Sequence, residues 1–268
     1  MNKIEEITSP ANPLVKEIRR AASRGSQTRD GFAIAESFHL LDEALGGECE
    51  IGVVIASESA RAGVEERLAG FPAIRLVVLE ERLFKTVSTT EATQGVITLV
   101  RPPAWTIEQF FGAQAALIVV LDGVQDPGNA GAIVRAAEAF GATGMMFLKG
   151  SANPHNPKAV RASAGSLFRM PVLAGLEAPE ARAALVERGV EIYAAMPSGA
   201  CDLTDAALDR PCALVIGGEG RGVGEEFRRG AAGLRIPIAC VESLNAAMAA
   251  GILLYEARRQ RTLKGNRG

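Results

Sequence analysis

Hydrophobic and polar positions alternate in blocks that predict helices and strands in turn over the first hundred residues. In residues 12–24, apolar side chains recur at helical spacing on one face and basic side chains occupy the other, as in an amphipathic helix. Further periodic or short apolar segments predict helices at 37–47 and 59–69 and strands at 31–36, 51–57, 74–80 and 94–100. We therefore expect a small α/β layer structure here.

The same alternation continues from residue 116 with tighter turns. The run ALIVVLD (116–122) is continuously apolar, as in a buried parallel strand. Later segments predict strands at 143–149, 190–196, 213–217 and 234–238 and helices at 129–140, 157–168, 179–189 and 244–262. Strands that alternate with helices indicate a largely parallel sheet covered on both faces.

A change of composition near residue 100 separates the two blocks. Glycine occupies 8 of the first 100 positions and 21 of the remaining 168. The segment RPPAWTIEQFFGAQ (101–114) begins with two prolines and carries the only tryptophan, which is typical of a linker with a short helix. We predict an N-terminal domain at 1–103, a linker at 104–114 and a second domain at 115–268.

Length and charge narrow the class of protein. A chain of 268 residues with 48% hydrophobic residues buries a large core, which excludes a disordered chain. The net charge of −2 excludes a uniformly basic coat protein, yet the charge is sorted: residues 1–35 carry +2, residues 149–170 carry +4 and residues 255–268 carry +4. Sorted charge fits either a polyanion partner or solvated helix faces.

The cysteines and the hydropathy pattern predict neither a metal site nor a membrane span. Cys49, Cys201, Cys212 and Cys240 show no CxxC spacing, and the chain has only two histidines. The first residues lack the apolar segment of a signal peptide, and no run reaches 18 apolar residues. A reduced cytoplasmic protein is the expectation.

The first of three glycine-rich turns that follow strands is LDGVQDPGNAGAIVRAAEAFG (121–141). Ligands in open α/β sheets bind at the carboxyl ends of strands, so these turns are candidate sites. Asn129 is predicted to cap the following helix, and Gly131 allows close approach of another backbone. Arg135 stands among small apolar residues. It either has a ligand to bind or extends into solvent, and both readings stay open at this point.

The other two turns also follow predicted strands. The second contains five glycines in residues 217–224 and matches neither the Walker A pattern nor G-x-G-x-x-G. Its pattern G-x-E-x-x-G consists of Gly217, Glu219 and Gly222. In the third turn, Glu242 and Ser243 precede a helix that ends in several arginines, and Ser243 is predicted as its N-cap.

Taken in order, the three turns resemble the SpoU family of RNA ribose 2′-O-methyltransferases, within the SPOUT superfamily. The matching stretches are NAGAIVR, GGEGRG and IPI followed by SLNAAMAAG. The stretches SPANPLVKEIRRA and FKTVSTTEATQGV (84–96) are similar to that family's N-terminal substrate-binding domain, which resembles kink-turn-binding ribosomal proteins. The resemblance spans nearly the whole chain.

The resemblance implies a fold, a cofactor and a set of site residues. It implies an α/β SPOUT domain with a C-terminal deep trefoil knot after a small α/β RNA-binding domain, S-adenosylmethionine as cofactor, and a homodimer. Catalytic roles would fall to Asn129, Arg135, Glu219, Ser243 and Asn245, and cofactor contacts to Gly217, Gly218, Ile236 and Leu244. We predict RNA contacts for the basic residues Arg19, Arg20, Arg24, Lys158, Arg161 and Arg169.

Several functional alternatives stay open. Ribosomal RNA is favoured as the substrate, with transfer RNA as the alternative. A non-catalytic RNA-binding protein on the same fold is a rival reading, although all five motif residues are present. A nucleotide-dependent oxidoreductase is disfavoured, because the first turn of the second domain, DPGNAGAI, lacks the dinucleotide-binding pattern.

Overall fold

The computed structural model describes residues 4–112 and 115–265 and divides the chain into two compact units. The first unit contains the chain up to Ala104 together with His155–Arg169, and the second contains Trp105–Pro154 and the chain from Met170 onwards. This division differs from a single cut at 104–114, because residues 155–169 return to the first unit. Trp105–Gly112, assigned to a linker from sequence, groups with the second unit.

The first unit is built on a five-stranded sheet with the order β1-β4-β3-β5-β2. Strands β1, β4 and β3 pair in parallel, and β5 pairs antiparallel with β3 and β2. Its elements are β1 (Ile4–Ile7), α1 (Pro13–Arg24), β2 (Ala33–Glu36), α2 (Phe38–Leu45), β3 (Glu50–Ser57), α3 (Arg61–Leu68), β4 (Leu76–Leu79), α4 (Glu81–Lys85), β5 (Val96–Arg101) and, from the later segment, α6 (Pro157–Ser163). The predicted α/β layering is confirmed.

Period-two alternation in the strands divides the core of this unit between the two faces of the sheet. Val53 and Ile55 pack in one cluster with α1, whereas Val54 and Ala56 pack in another with α3. Helix α1 begins at the N-cap Asn12, whose side chain accepts a hydrogen bond from the Leu14 amide at 2.8 Å. The apolar face predicted for this helix is the buried one.

A buried carboxylate at the end of β2 organises the loop that precedes β5. Glu36 is 4% exposed and accepts hydrogen bonds from the hydroxyls of Ser88, Thr89, Thr90 and Thr93 at 2.5–2.9 Å, and from the Thr89 amide at 2.6 Å. Burial raises the pKa of this carboxyl group, but the hydrogen bonds outweigh burial and hold its pKa below the ordinary value. The Glu36 network thus fixes the loop 88–93.

We predict that Glu36→Gln lowers the free energy of unfolding at pH 7 by about 3 kcal/mol, because an amide cannot accept all these donors. The lowered pKa means that the stabilisation is complete above pH 4.5 and is lost as the pH falls through the folded-state value. Urea unfolding at pH 7 and at acidic pH measures both effects. Glu91→Gln, at an exposed position of the same loop, is the control. Equal stability of the two variants at pH 7 would contradict the prediction.

The second unit is built on a seven-stranded, wholly parallel sheet with the order β10-β12-β9-β11-β6-β7-β8. The predicted parallel sheet is therefore confirmed. Its elements are β6 (Leu117–Asp122), α5 (Pro127–Ala139), β7 (Gly144–Leu148), β8 (Val172–Leu176), α7 (Ala178–Val186), β9 (Glu191–Ala195), β10 (Cys201–Asp202), β11 (Cys212–Gly217), α8 (Glu225–Arg228), β12 (Ala232–Arg235) and α9 (Ala246–Gly265).

The segment predicted as a linker contributes to the core of this second unit. A short 3-10 helix at Ile107–Phe110 is closed by a capping box between Thr106 and Gln109. Phe110 is fully buried, and a Cβ built on Gly144 would lie 2.3 Å from its ring. Gly144 therefore leaves room for the aromatic ring against β7.

Two predicted elements end earlier than the hydrophobic pattern indicates. The helix predicted at 157–168 ends at Ser163, because Ala164 and Gly165 adopt left-handed backbone angles (φ 48° and 92°). The strand predicted at 234–238 ends at Arg235, two residues before a proline that cannot donate to a sheet. No helix within residues 4–112 and 115–265 has the length and hydropathy needed to cross a membrane.

Candidate active site at the carboxyl edge of the parallel sheet

A cavity of about 730 Å³ opens in the second unit beyond the carboxyl ends of β9 and β11. This is where the topology of an open parallel sheet places a ligand. The second and third glycine-rich turns both line it. Among the lining residues are Met196, Pro197, Ile216, Gly217, Gly218, Glu219, Gly220, Arg221, Leu234, Ile236, Ile238, Glu242, Ser243, Leu244 and Asn245.

Two glycines at the end of β11 allow backbone segments to meet without side chains between them. A Cβ on Gly217 would lie 2.1 Å from the carbonyl carbon of Gly222, and a Cβ on Gly218 would lie 2.0 Å from the carbonyl oxygen of Gly123. The Gly222 amide donates to the Gly218 carbonyl at 2.9 Å and closes the turn. Any other residue at Gly217 or Gly218 must displace backbone.

A carboxylate from the neighbouring strand holds the far end of this glycine turn. Asp122, the last residue of β6, accepts a hydrogen bond from the Gly224 amide at 2.7 Å, and its backbone carbonyl accepts one from the Gly218 amide at 2.9 Å. Asp122 is not among the site residues predicted from the sequence. A polar residue that ends an otherwise apolar strand beside a glycine-rich turn was the available signal.

The first turn differs from prediction in its capping residue. The N-cap of α5 is Asp126, which accepts a hydrogen bond from the Asn129 amide at 2.8 Å, and Pro127 occupies the first helical position. The prediction that Asn129 caps this helix is therefore wrong. Because Asp126 and Pro127 already begin the helix, the Asn129 side chain is available for tertiary contacts.

Asn129, Glu219 and Asn245 meet although they come from three separate turns. The Asn129 amide group donates to Glu219 Oε1 at 2.5 Å. Asn245 Nδ2 donates to Asn129 Oδ1 at 3.2 Å and lies 3.5 Å from Glu219 Oε1. These contacts define the Asn-Glu-Asn cluster, in which each amide is oriented by a partner from another turn.

The last helix is also capped by a different residue from the one predicted. Asn245 Oδ1 accepts hydrogen bonds from the amides of Ala247 at 2.9 Å and Met248 at 3.2 Å, which is the role of an N-cap. The prediction that Ser243 caps the helix is therefore wrong. Ser243 is exposed and lines the cavity. The cap holds the Oδ1 atom of Asn245, and the cluster holds its Nδ2 atom.

Arg135 lies two turns along α5 from Asn129 and is exposed. Within the described residues it forms no hydrogen bond or ion pair. Its guanidinium group is therefore available to an anion from outside the chain, with no internal partner to displace.

The six basic residues predicted to contact RNA all belong to the first unit and have different partners. Arg20 makes hydrogen bonds with Glu17, and Arg169 forms an ion pair with Glu43. Arg19 donates to Thr86 Oγ1 at 2.7 Å. The other three line a shared cavity and are Arg24, Lys158 and Arg161.

Among the described residues, no group of three or more His, Cys, Asp and Glu side chains is arranged to hold a metal ion. All four cysteines are free thiols. Burial raises the pKa of the Cys49 thiol and of the Cys212 thiol to about 11. These two thiols are therefore protonated at neutral pH and are poor nucleophiles.

Comparison with sequence families gives two matches. Residues 116–255 match the model of the SpoU rRNA methylase family, and residues 12–98 match an MRM3-like substrate-binding domain. A protein of Synechocystis sp. named as an uncharacterized tRNA/rRNA methyltransferase is 34% identical over 96% of this chain and 94% of its own. The 23S rRNA (guanosine(2553)-2′-O)-methyltransferase RlmP of Bacillus subtilis is 28% identical over 95% of this chain and its full length.

Solved structures match over the same extent. The AdoMet-bound rRNA methyltransferase of Sinorhizobium meliloti has a TM-score of 0.82 and 29% identity, covering 96% of this chain and 98% of that one. The SpoU methyltransferase AviRb of Streptomyces viridochromogenes, in complex with AdoMet, has a TM-score of 0.84 and 27% identity, covering 94% and 98%. Both likenesses extend through the two units.

Proposed function

The chain belongs to the SpoU rRNA methylase family, and from this premise we propose that it methylates the 2′-hydroxyl of a ribose in ribosomal RNA, with S-adenosylmethionine as the methyl donor. The observation that carries the proposal is the Asn-Glu-Asn cluster, which unites the three family motifs beside a ligand-sized cavity. A ribosomal RNA substrate also implies action in the cytoplasm.

The cavity fits an elongated ligand with an apolar body and polar ends. Its walls are apolar at Met196, Ile216 and Leu234, and its glycine turn leaves backbone open at Gly220, where a Cβ would meet nothing within 4 Å. Such a mixture of apolar wall and backbone suits the purine and thioether parts of S-adenosylmethionine. When bound, this cofactor supplies an activated methyl group on a sulfonium. We propose that Gly217, Gly218, Ile236 and Leu244 contact it.

We propose that the Asn-Glu-Asn cluster orients the reacting groups. Asn129 and Asn245 present amides held by hydrogen bonds, so a ribose hydroxyl bound there loses little further freedom before reaction. Glu219 keeps the Asn129 amide group in one orientation by accepting its hydrogen bond. Ser243, exposed at the cavity, is placed to donate or accept a hydrogen bond with RNA.

Arg135 is proposed to bind the phosphate next to the reacting ribose and to stabilise the developing alkoxide. A guanidinium group stays protonated, so it acts as a clamp rather than as a base. We predict that Arg135→Lys lowers kcat/KM for RNA at least tenfold, because lysine cannot form a bidentate contact. Steady-state kinetics at fixed S-adenosylmethionine measures this. Full activity of the lysine variant would contradict the clamp.

The proposed function is tested by transfer of tritiated methyl groups to 23S and 16S rRNA transcripts and to tRNA. Incorporation into a ribosomal transcript, with nuclease digestion yielding a 2′-O-methylated nucleotide, is the expected result. Methylation of tRNA alone would contradict a ribosomal substrate and identify tRNA as the substrate instead. Binding of S-adenosylmethionine and RNA without methyl transfer would favour the non-catalytic alternative. Calorimetry with NAD, in parallel with S-adenosylmethionine, tests the oxidoreductase alternative.

We propose that the first unit is the RNA-binding domain and that its fold is of the kink-turn-binding type. Its match to an MRM3-like substrate-binding domain supports this assignment. Basic side chains proposed to contact RNA are Arg19, Arg20, Arg24, Lys158, Arg161 and Arg169. The affinity of the full chain for an RNA that contains a kink-turn, compared with that for an RNA that lacks it, tests the preference.

A homodimer is proposed from an apolar face on α9. Met248, Ile252 and Tyr255 lie on one side of the helix at spacings of four and three residues, and they are 58%, 37% and 57% exposed. We predict that Met248→Glu converts a dimer to a monomer in sedimentation velocity. Glu58→Gln, an exposed substitution on the first unit, is the control. A monomeric wild-type chain would contradict the proposal.

We propose a C-terminal deep trefoil knot in the second unit, because the chain belongs to the SpoU family and the resemblance to that family implies this knot. The likeness to SpoU structures over almost the whole chain supports the assignment. A crystal structure with continuous density through 212–250 tests it.

A further inference from the structure

A second cavity, of about 330 Å³, lies in the first unit where α1 ends and α6 begins. Arg24, Lys158 and Arg161 line it, and none of the described lining residues is acidic or aromatic. Three positive charges around one small space favour an anion. The absence of an aromatic wall removes the usual stacking surface for a base.

The walls of this cavity are fixed by contacts between the two helices. Gly25 ends α1 in a left-handed conformation (φ 57°), and a Cβ there would lie 2.3 Å from Asn156 Nδ2. The same Asn156 caps α6 by accepting a hydrogen bond from the Lys158 amide at 2.9 Å. The left-handed conformation favours glycine, and the absence of a side chain lets Asn156 lie against the end of α1.

The third basic side chain is connected to the buried Glu36 network. Arg161 Nη1 donates to Thr89 Oγ1 at 3.4 Å, and Thr89 in turn donates to Glu36 at 2.6 Å. These two hydrogen bonds orient Arg161, because the Thr89 hydroxyl accepts from Arg161 while donating its own proton to the Glu36 carboxylate. The charge on Arg161 therefore stays available to a ligand.

Arg24 is the least engaged of the basic residues at this cavity. It is exposed and forms no hydrogen bond or ion pair within the part of the chain that the structure describes. By contrast, Arg20 is paired with Glu17 and Arg169 with Glu43. Acidic partners thus neutralise the charges of two of the six basic residues predicted to contact RNA. Within the described chain, no ion pair neutralises the charge of Arg24 or Arg161.

We propose that this cavity is a phosphate site, in which Arg24, Lys158 and Arg161 together bind one backbone phosphate of the RNA substrate. The proposal rests on the proposed function for the identity of the polyanion. Three cations and no stacking surface favour the phosphodiester backbone over a nucleobase. The site would contribute affinity without sequence preference and would fix the register of the RNA on the first unit.

The test uses the full chain with the substitutions Arg24→Gln, Arg161→Gln and both together. Affinity for a full-length 23S rRNA transcript is measured by filter binding over a series of KCl concentrations. Each single variant is expected to bind about tenfold more weakly and to lower the slope of log K against log[KCl] by about 0.7–0.9, the value for one phosphate. The double variant should lower it by the same single increment, because one phosphate is lost.

Arg82→Gln is the matched control, because Arg82 is an exposed arginine of the first unit without a described partner. It should keep the wild-type affinity and slope. A double-variant slope that falls by two increments would mean separate phosphates and would overturn the shared site. Equal weakening by Arg82→Gln, or wild-type binding by both single variants, would also overturn it.

A second readout separates this proposal from the proposed function. KM for RNA is expected to rise with the dissociation constant, while the affinity for S-adenosylmethionine and the thermal midpoint stay unchanged. If the wild-type chain transfers no methyl group, the proposed function is contradicted, but the RNA-binding measurements on the variants still test the phosphate site. A wild-type chain that methylates RNA, with variants that retain its salt slope, defeats the phosphate site alone.

Discussion

Gly218→Ala strongly weakens the binding of S-adenosylmethionine, as the expected result of placing a Cβ 2.0 Å from the carbonyl oxygen of Gly123. Real Cβ atoms do not approach backbone so closely, and the contact is with main chain rather than with a side chain that can rotate. The turn must therefore move away from β6, and with it the hydrogen bond from the Gly218 amide to Asp122. We expect at least a hundredfold loss of affinity in calorimetry.

Gly189→Ala is the control for this substitution, because Gly189 lies in the second unit and is not among the described residues that line the cavity. A Cβ on Gly189 meets nothing within 4 Å, although its φ of 66° disfavours a side chain. The substitution should cost about 1–2 kcal/mol of stability through backbone strain and leave the affinity for S-adenosylmethionine at the wild-type value. If Gly218→Ala binds S-adenosylmethionine as well as Gly189→Ala, close backbone approach does not govern the site.

Asn129→Ala is predicted to lower the rate of methyl transfer about 100- to 1000-fold in single-turnover experiments with 23S rRNA. The substitution removes the side chain that donates to Glu219 and accepts from Asn245, so Glu219 loses its closest partner in the cluster and the Asn245 amide group loses an acceptor. Affinity for S-adenosylmethionine should change little, because Asn129 is not among the described residues that line the cavity.

A double variant shows whether the cluster acts as one unit. Glu219→Ala should cause a loss similar to that of Asn129→Ala, and combining the two should cost little more than either alone. Gln125→Ala, at an exposed position in the same turn, serves as the control and should retain wild-type rates. Additive losses in the double variant would contradict a cooperative cluster.

Hydrophobic periodicity was sufficient to predict most of the elements, and the capping residues show where it was not. Both Asn129 and Ser243 occupy plausible N-cap positions in the sequence, and in each case a neighbour takes that role. Asp126 is the N-cap of α5 because it precedes Pro127, and proline favours the first helical position. The choice at Asn245 depends on the cluster, which joins residues far apart in the sequence and is absent from any local pattern.

Long-range contacts explain the other differences between sequence and structure. Residues 155–169 lie between motifs of the second domain, yet they group with the first unit, where α6 packs beside β2. Glu36 was not selected because a single acidic residue at the end of a strand is common, and only the distant loop 88–93 makes it a network centre. Local propensity carries no information about such partners.

The motif residues were predicted from family resemblance rather than from residue chemistry. Glu219 in its glycine turn was a weak signal alone, and its contacts come from residues 90 and 26 positions away. The structure adds the hydrogen bonds that join the motif residues and the contact of Asp122 with the glycine turn. It also shows that some of the basic residues form ion pairs whereas others line an open cavity.

The position of Asn245 at the start of α9 has a consequence for the timing of activity during synthesis. A nascent chain that has emerged only as far as β12 holds the first two glycine-rich turns but lacks the residue that completes the cluster. In such a chain the Asn129 side chain lacks the hydrogen bond from Asn245, even if the parallel sheet has already formed. Assembly of the complete Asn-Glu-Asn cluster therefore depends on the last helix having docked.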